Sequence, residues 1–334
     1  MSFITGLLLI DAPASALNNG QGEETKAKVK SIHVYPQQDY PYVSAQSFRY
    51  WLRESMQRTF PDLPASPVYT AGAGKKQQAF TEGNPISYWD DDLLGYMRAE
   101  KSETVTRISP LRTSTLVSVT PVELVEDFGV MARAPKAEGD KEGVLLHGHE
   151  FYRATLQMLF SLDLRRAGTF TDERRTGYKN LGKGNSGTSR ETAGLAYVEK
   201  EGGYRLPIAE RTQRVQSLLR ALGRLEGGAK QTLHYTDVTP AFVIAAVTTG
   251  GNNMFGRVIH RNEEGRLALH EAALQQALTV FGSDLQSSIY VGRAEGFMDN
   301  TAAQLSKAGL TTHHPRQALD ALATALAAHP EWMD

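Results

Sequence analysis

Between residues 152 and 164, Leu156, Met158, Phe160, Leu162 and Leu164 recur at every second position. A period of two fits a β-strand with one face in a core, and it commits the chain to building a sheet. Other segments supply neighbours. Residues 3–10 are apolar and read as a buried first strand. Residues 111–125 alternate around Leu116-Val117-Ser118-Val119, and residues 241–248 are rich in β-branched and small apolar side chains. Helical spacing takes over elsewhere. Within residues 44–59, Phe48, Trp51, Leu52 and Ser55 fall on one side of a helix. Within residues 208–225, Val215, Leu218, Leu219, Leu222 and Leu225 form a stripe that Gly227-Gly228 stops. Residues 267–281 and 315–329 read as two more helices, with Pro315 in a first turn.

The intervening segments are punctuated differently. Residues 11–39 read as a long loop. Residues 61–106 read as an insertion broken by Pro61, Pro64, Pro67 and Pro85. Residues 127–150 read as a protruding hairpin, with Val130 and Met131 on one arm, Leu145 and Leu146 on the other, and a polar tip at 138–143. Residues 165–206 are polar and glycine-rich, a loop or second insertion. The core order is therefore βαββαβ, an α+β ferredoxin-like arrangement that RNA-recognition domains use. Fold alone does not give function.

Bulk composition sets limits. The chain has 334 residues, 41% apolar and 22% charged, enough for a packed core. A net charge of −1 argues against a free-standing basic nucleic-acid binder, but leaves room for a local basic groove. Cysteine is absent, which removes disulfides, thiolate catalysis and cysteine-based zinc sites and fits a reducing cytoplasm. No run of about 18 apolar residues provides a membrane span. The apolar start has no Lys or Arg ahead of it and ends at Asp11, so a signal peptide is not expected.

Candidate contacts follow from residue type and position. Ser44 is placed to cap the first helix after the extended Pro41 segment, and Gln46, Arg49, Arg53 and Gln57 line its polar face. Free N–H groups, a positive dipole end and guanidinium forks together suit a chain of phosphates; a solvated helix face is the alternative. The loop around Ser15, Asn18 and Asn19 has small residues for close approach and amides for phosphate or sugar oxygens, or is simply a turn. Arg107 and Arg112 bracket Ser109-Pro110, and Asn252 and Asn253 close a second small polar loop. Residues 177–184 nearly spell a phosphate-binding loop, but Gly184 replaces the metal-holding hydroxyl and no buried strand precedes it, so a basic loop with Arg174, Arg175, Lys179 and Lys183 is preferred. Asp90-Asp91-Asp92 reads as a helix cap, and His147 with His149 as a surface pair short of a third metal ligand. His33 and Tyr35 are the residues that acid–base cleavage of RNA would need.

Several blocks together resemble one family. Residues 9–19, 40–53, 92–97, 109–114 and 127–130 are similar to the DevR-type backbone subunit of type I-B CRISPR Cascade complexes. The resemblance covers most of residues 3–260 and is weakest in 61–88, 165–205 and the C-terminal tail. It implies a hand-shaped protein: an RNA-recognition-like palm (1–60 and 107–260), a fingers insertion (61–106) and a hairpin thumb (127–150), followed by a C-terminal helical region (261–334). Copies would line one CRISPR RNA as a helical filament, together with other Cascade subunits, leaving bases to pair with a target DNA strand. Such members bind without cutting and need no metal or cofactor; a recruited nuclease, or transposition factors, act downstream. Carried onto this chain, Ser44, Gln46, Arg49 and Arg53 would hold the guide backbone, the loop with Ser15, Asn18 and Asn19 would contact that backbone or an adjacent copy, and Asn252 and Asn253 would line the palm; Arg107 and Arg112 join them as RNA-contact candidates by residue type. Val130 or Met131 would wedge bases apart. The rival readings are a metal-independent endoribonuclease that matures the guide, resting on His33, and a DNA-binding regulator, which lacks any helix-turn-helix signal.

Overall fold

The computed structural model describes residues 1–20, 22, 26–36, 38–72, 78–99, 104–131, 145–171, 179–182 and 193–334. Sixteen elements carry the argument: β1 (Ser2–Ser15), β2 (Ser31–Val34), β3 (Gln38–Val43), α1 (Ala45–Thr59), α2 (Trp89–Leu94), β4 (Leu111–Thr113), β5 (Leu116–Ser118), β6 (Val125–Met131), β7 (Leu145–Asp163), α3 (Ile208–Leu222), β8 (Phe242–Thr249), α4 (Glu271–Val280), β9 (Tyr290–Arg293), α5 (Thr301–Lys307), β10 (Thr312–His313) and α6 (Pro315–Ala328). The protein is of mixed α+β class around one large sheet, ordered β10-β9-β8-β1-β7-β5-β3-β2. β9 and β10 run parallel; the other neighbours along this path are antiparallel.

β1 is apolar on both faces because it lies at the centre, with Leu8 opposite Met158 of β7 and Val243 of β8. Its even-numbered side chains, Ile4, Leu8 and Ile10, join Leu156, Met158, Phe160 and Leu162 of β7 against the helices. α1 contributes Phe48, Trp51, Leu52 and Met56, α3 contributes Val215, Leu218 and Leu219, and α6 contributes Leu319 and Leu322. Each of these fully buried side chains is worth about 1.5–3 kcal/mol over exposure. Gly6 admits the Phe160 ring onto the sheet; a β-carbon there would also stand 2.8 Å from the Ile244 carbonyl oxygen. Leu7 and Leu9 point the other way, onto Met254, Phe255, Leu274 and Leu305. That second layer covers β8 and β1, whereas Thr155, Gln157 and Leu159 of β7 and Val117 of β5 stay half-buried.

Several boundaries depart from the sequence expectations. Residues 11–39 do not form one loop: β1 continues to Ser15, β2 follows, and Lys26–Ala27 pairs with β7. Residues 111–125 break into β4 and β5 at Ser114. Its N–H donates to the Leu159 carbonyl and its hydroxyl accepts from the Leu159 N–H, so a side chain replaces one rung of the ladder. The second hairpin arm and the alternating strand are one element, β7. α3 ends at Leu222, earlier than expected: the Arg224 N–H turns to the Ala221 carbonyl, and the Glu226 N–H goes to the Ser55 hydroxyl. The helix expected from residue 267 starts at Glu271. Leu267–Leu269 instead pairs with Ile259–Arg261, and His270 caps α4 by accepting from the Ala273 N–H. The C-terminal region expected to be helical also contributes β9 and β10 to the sheet. Within 61–106, strands Val68–Ala71 with Gln78–Thr81 and Tyr96–Ala99 with Thr104–Arg107 flank α2. Thr169–Thr171, Gly203–Arg205 and Ala196–Val198 form a small separate sheet. No helix among the described residues is long and apolar enough to cross a membrane.

Candidate nucleic-acid interface

The start of α1 forms as its sequence demands. Ser44 is extended and its hydroxyl accepts from the Ser47 N–H at 3.3 Å. The Ser47 hydroxyl donates to Asn18 Oδ1, and Asn18 Nδ2 donates to the Tyr42 carbonyl. This wiring ties the Asn18 loop to the helix and buries Asn18, leaving Asn19 and Gln46 exposed. Ser15 is buried as well, its hydroxyl 2.7 Å from that of Thr236.

The arginines of α1 do something the sequence reading did not anticipate. Arg49 donates to the carbonyls of Leu94 (3.2 Å) and Leu111 (2.8 Å), and burial lowers its pKa from the ordinary guanidinium value. Arg53 Nε is 2.7 Å from Asp90, and its Nη2 donates to the Ser66 carbonyl at 2.6 Å. Both side chains therefore bolt α1 to the segment around α2, and neither guanidinium is turned outward to a phosphate.

The acidic triplet is the other half of that bolt. The expectation that Asp90-Asp91-Asp92 caps α2 is corrected: the cap position is Tyr88, without a side-chain bond, and the three carboxylates are buried. Asp90 takes Arg53 and the Ser66 N–H. Asp92 takes Arg107, Arg214 at 3.0 Å and the Gly168 N–H at 3.0 Å. Arg107 also donates to the Asp92, Thr169 and Arg166 carbonyls and lies 4.7 Å over the Phe170 ring. It is 6% exposed, so its guanidinium is used up inside the protein and the expected nucleic-acid contact at Arg107 is withdrawn.

A different set of residues is outward. Arg112 of β4 is exposed and sits opposite Ser161 of β7. Asn253 Nδ2 donates to the Gly6 carbonyl at 2.7 Å and the Phe160 carbonyl at 3.2 Å, which pins the 250–253 loop on the sheet beside Ser161. Asn252, next to it, is exposed. From there the outward side of β7 runs through Leu159, Gln157 and Thr155 to exposed Arg153 at the hairpin base, a path of roughly 26 Å at about 3.3 Å per residue. Asp11 is the acid on this path, 3.4 Å from the Thr155 hydroxyl. Arg153 and exposed Arg257 were missed in the sequence. Arg153 was legible there as a cation at an outward position of an alternating strand. Arg112, Asn252 and Asn253 thus converge on the half-open sheet face, whereas Asn18, Asn19, Ser44 and Gln46 gather at the start of α1, a helix packed on the opposite face, and Ser15 meets Thr236 instead.

The hairpin beside this path is real: β6 pairs with the first part of β7 from Val125 opposite Phe151 to Met131 opposite Leu145. Val130 and Met131 end the described part of one arm; their side chains and the polar tip expected at 138–143 lie outside the described residues, as do Arg174, Arg175, Gly177, Tyr178, Lys183 and Gly184. Asn180 and Leu181 are buried, Asn180 bridging Arg107 to Thr106 and Thr171, so this part of the expected basic loop is fixed in place. His147 is exposed, but His149 is not the surface residue expected. It is 8% exposed, its Nε2 is 3.1 Å from Nε2 of His234, and Phe151 stacks on His234. Burial, then His149 and Lys230, lower the His234 pKa from the ordinary imidazole value, while Asp127 acts in the opposite sense. His33 is exposed, 3.5 Å from Asp39. No group of three or more His, Cys, Asp or Glu among the described residues could hold a metal ion.

Solved structures share this fold. A chain of a CRISPR RNA-guided surveillance complex superposes with a TM-score of 0.55 at 15% identity, covering 97% of this chain and 99% of that one. A chain of such a complex in a pre-nicking state gives 0.55 at 14% identity, with the same coverage. No curated protein matches the sequence. The family described as CRISPR-associated negative auto-regulator DevR/Csa2 matches residues 10–263, and the chain belongs to it.

Two outcomes are expected of this site. Asp92→Ala strands two buried guanidiniums and lowers unfolding free energy by about 3–5 kcal/mol in denaturant titration. Asp91→Asn keeps or raises stability at neutral pH, because burial raises the Asp91 pKa from its ordinary carboxylate value and the charged form is the costly one. At the hairpin base, a lowered imidazole pKa means the unfolded chain binds more protons. The stabilisation is present above about pH 6.5 and is lost as pH falls from there toward the folded-state value. Thermal melts fall with acidification through that window, and His234→Phe, which keeps the stack on Phe151, flattens the dependence.

Proposed function

We propose that this chain is the guide-binding backbone subunit of a type I-B CRISPR Cascade complex. It acts without cutting, in the cytoplasm, with copies arrayed as a helical filament along one CRISPR RNA. The family match over residues 10–263 is the observation that carries the reading. In it, β1, α1, β4 and β5, β7, α3 and β8 are the RNA-recognition-like palm, residues 61–106 the fingers, and residues 127–150 the thumb. The sheet order β8-β1-β7-β5 supports the palm, being the order of a βαββαβ unit with its first and third strands central.

In this proposal the half-open side of β7, from Arg112 to Arg153, carries RNA backbone beside the thumb, with the 250–253 loop as its flank. Asn19, Ser44 and Gln46 form a second contact at the start of α1. Arg49 and Arg53 serve indirectly, by holding α1 against α2. A near-neutral chain suits an array of identical copies, which a uniformly basic surface would drive apart. Protein contacts to the backbone leave base edges free to pair with a target DNA strand. Partner Cascade subunits and a recruited nuclease or transposition factors complete the assembly.

Binding of single-stranded RNA titrated at several salt concentrations tests the proposal. Arg112→Ala is expected to weaken binding uniformly across sequences and to reduce the salt slope by about 1. Unchanged affinity and slope in a variant that also carries Arg153→Ala overturns this placement of the RNA.

A further inference from the structure

Opening off the β7 path, and sharing Leu159 and Asn253 with it, is a cavity of about 590 Å³. Its floor is Leu159 of β7 and Met254, and its wall is the Ala273, Val280 and Phe281 side of α4 and its end. The cavity is built in by residue size. A β-carbon at Gly256 would stand 3.2 Å from the Leu159 side chain, and no positive φ requires glycine there, so its absence keeps space beside Leu159. Ala273 leaves the opposite wall low. At the mouth, Val280 is 60% exposed and Phe281 36% exposed, large apolar groups turned to water where α4 has already sent Leu274 and Ala277 into the core. Exposed Arg257 stands on the rim, and no lining residue is acidic.

This combination selects a flat, largely apolar group attached to a negative charge. The volume falls in the usual range for small-ligand sites, about 300–1,000 Å³. Phe281 and the aliphatic wall offer faces to a ring, exposed Gln276 offers an amide to a ring edge, and Arg257 reaches a neighbouring phosphate. We propose that this cavity receives one nucleobase of the bound RNA, with Arg257 on the adjoining phosphate. The assignment rests on the RNA-binding reading above. It adds a base-holding site that Asn253, pinned to the Gly6 and Phe160 carbonyls, keeps in fixed relation to the sheet.

The test is photocrosslinking of the full-length chain to single-stranded RNA carrying 4-thiouridine, with affinities measured in parallel. Crosslinks are expected on residues 254–257 and 278–281. Ala273→Trp and, from the floor, Gly256→Leu fill the cavity; whichever variant keeps the wild-type melting temperature loses those crosslinks and about tenfold in affinity. Arg257→Ala weakens binding and lowers the salt slope. Wild-type affinity in the filled variant, with crosslinks elsewhere, overturns the assignment and leaves RNA binding standing; an apolar side chain of another protein is then the better occupant. Failure of the wild-type chain to bind RNA overturns the RNA-binding reading and this site together.

Discussion

The buried carboxylates of α2 hold the molecule together. Asp90 and Asp92 receive Arg53 from α1, Arg107 from the strand before β4 and Arg214 from α3. Three stretches of chain thereby meet at one short helix. Desolvating such charges is costly, and their mutual attraction offsets that cost only when geometry and extra hydrogen bonds are good. Here the extra bonds are present: Asp92 also accepts from the Gly168 N–H, and Arg214 also donates to the Pro85 and Ile86 carbonyls. The lock fixes how the 61–106 segment sits against the sheet. It also explains why cations that look like ligands for phosphate are consumed internally.

With those cations spoken for, the outward chemistry falls to β7. One face of that strand closes the helix-covered core. The other is only half covered: the 254–310 segment reaches Leu159, while Thr155 and Gln157 stay half-buried and Arg153 is exposed. The same strand also forms one arm of the hairpin, so a path along the open face leads to the hairpin base. A continuous strand is a stiff connection between the two. The His149–His234 contact braces their junction from the side, and Lys26 pairs with Glu126 and Glu150 on the hairpin itself.

Much of this was legible in the sequence, and what was not has a physical reason. Periodicity reports burial locally, so the first helix, its Ser44 cap, the alternating strand and the hairpin arms could all be read from neighbouring residues. Partners of buried charges are not local. Arg53 is 37 residues from Asp90, and Arg214 is 122 from Asp92, so nothing near the triplet announces them. The one local hint was context: Asp90-Asp91-Asp92 stands between Trp89 and Leu93-Leu94, an apolar setting in which a solvated cap is out of place. Arg107 and Arg112 looked equivalent in sequence, yet strand geometry sends one inward and one outward. The start of the 267–281 helix was misplaced because Leu267 and Leu269 fit either period, and pairing with Ile259–Arg261 decided it.

The central claim is that copies of this chain share one guide RNA. The most direct measurement is purification without nuclease treatment, followed by sizing of both the complex and any RNA it carries. The account predicts a multi-copy particle with RNA of uniform length that survives incubation in EDTA uncut. An RNA-free monomer, or specific cleavage of precursor RNA that His33→Ala abolishes, would contradict it.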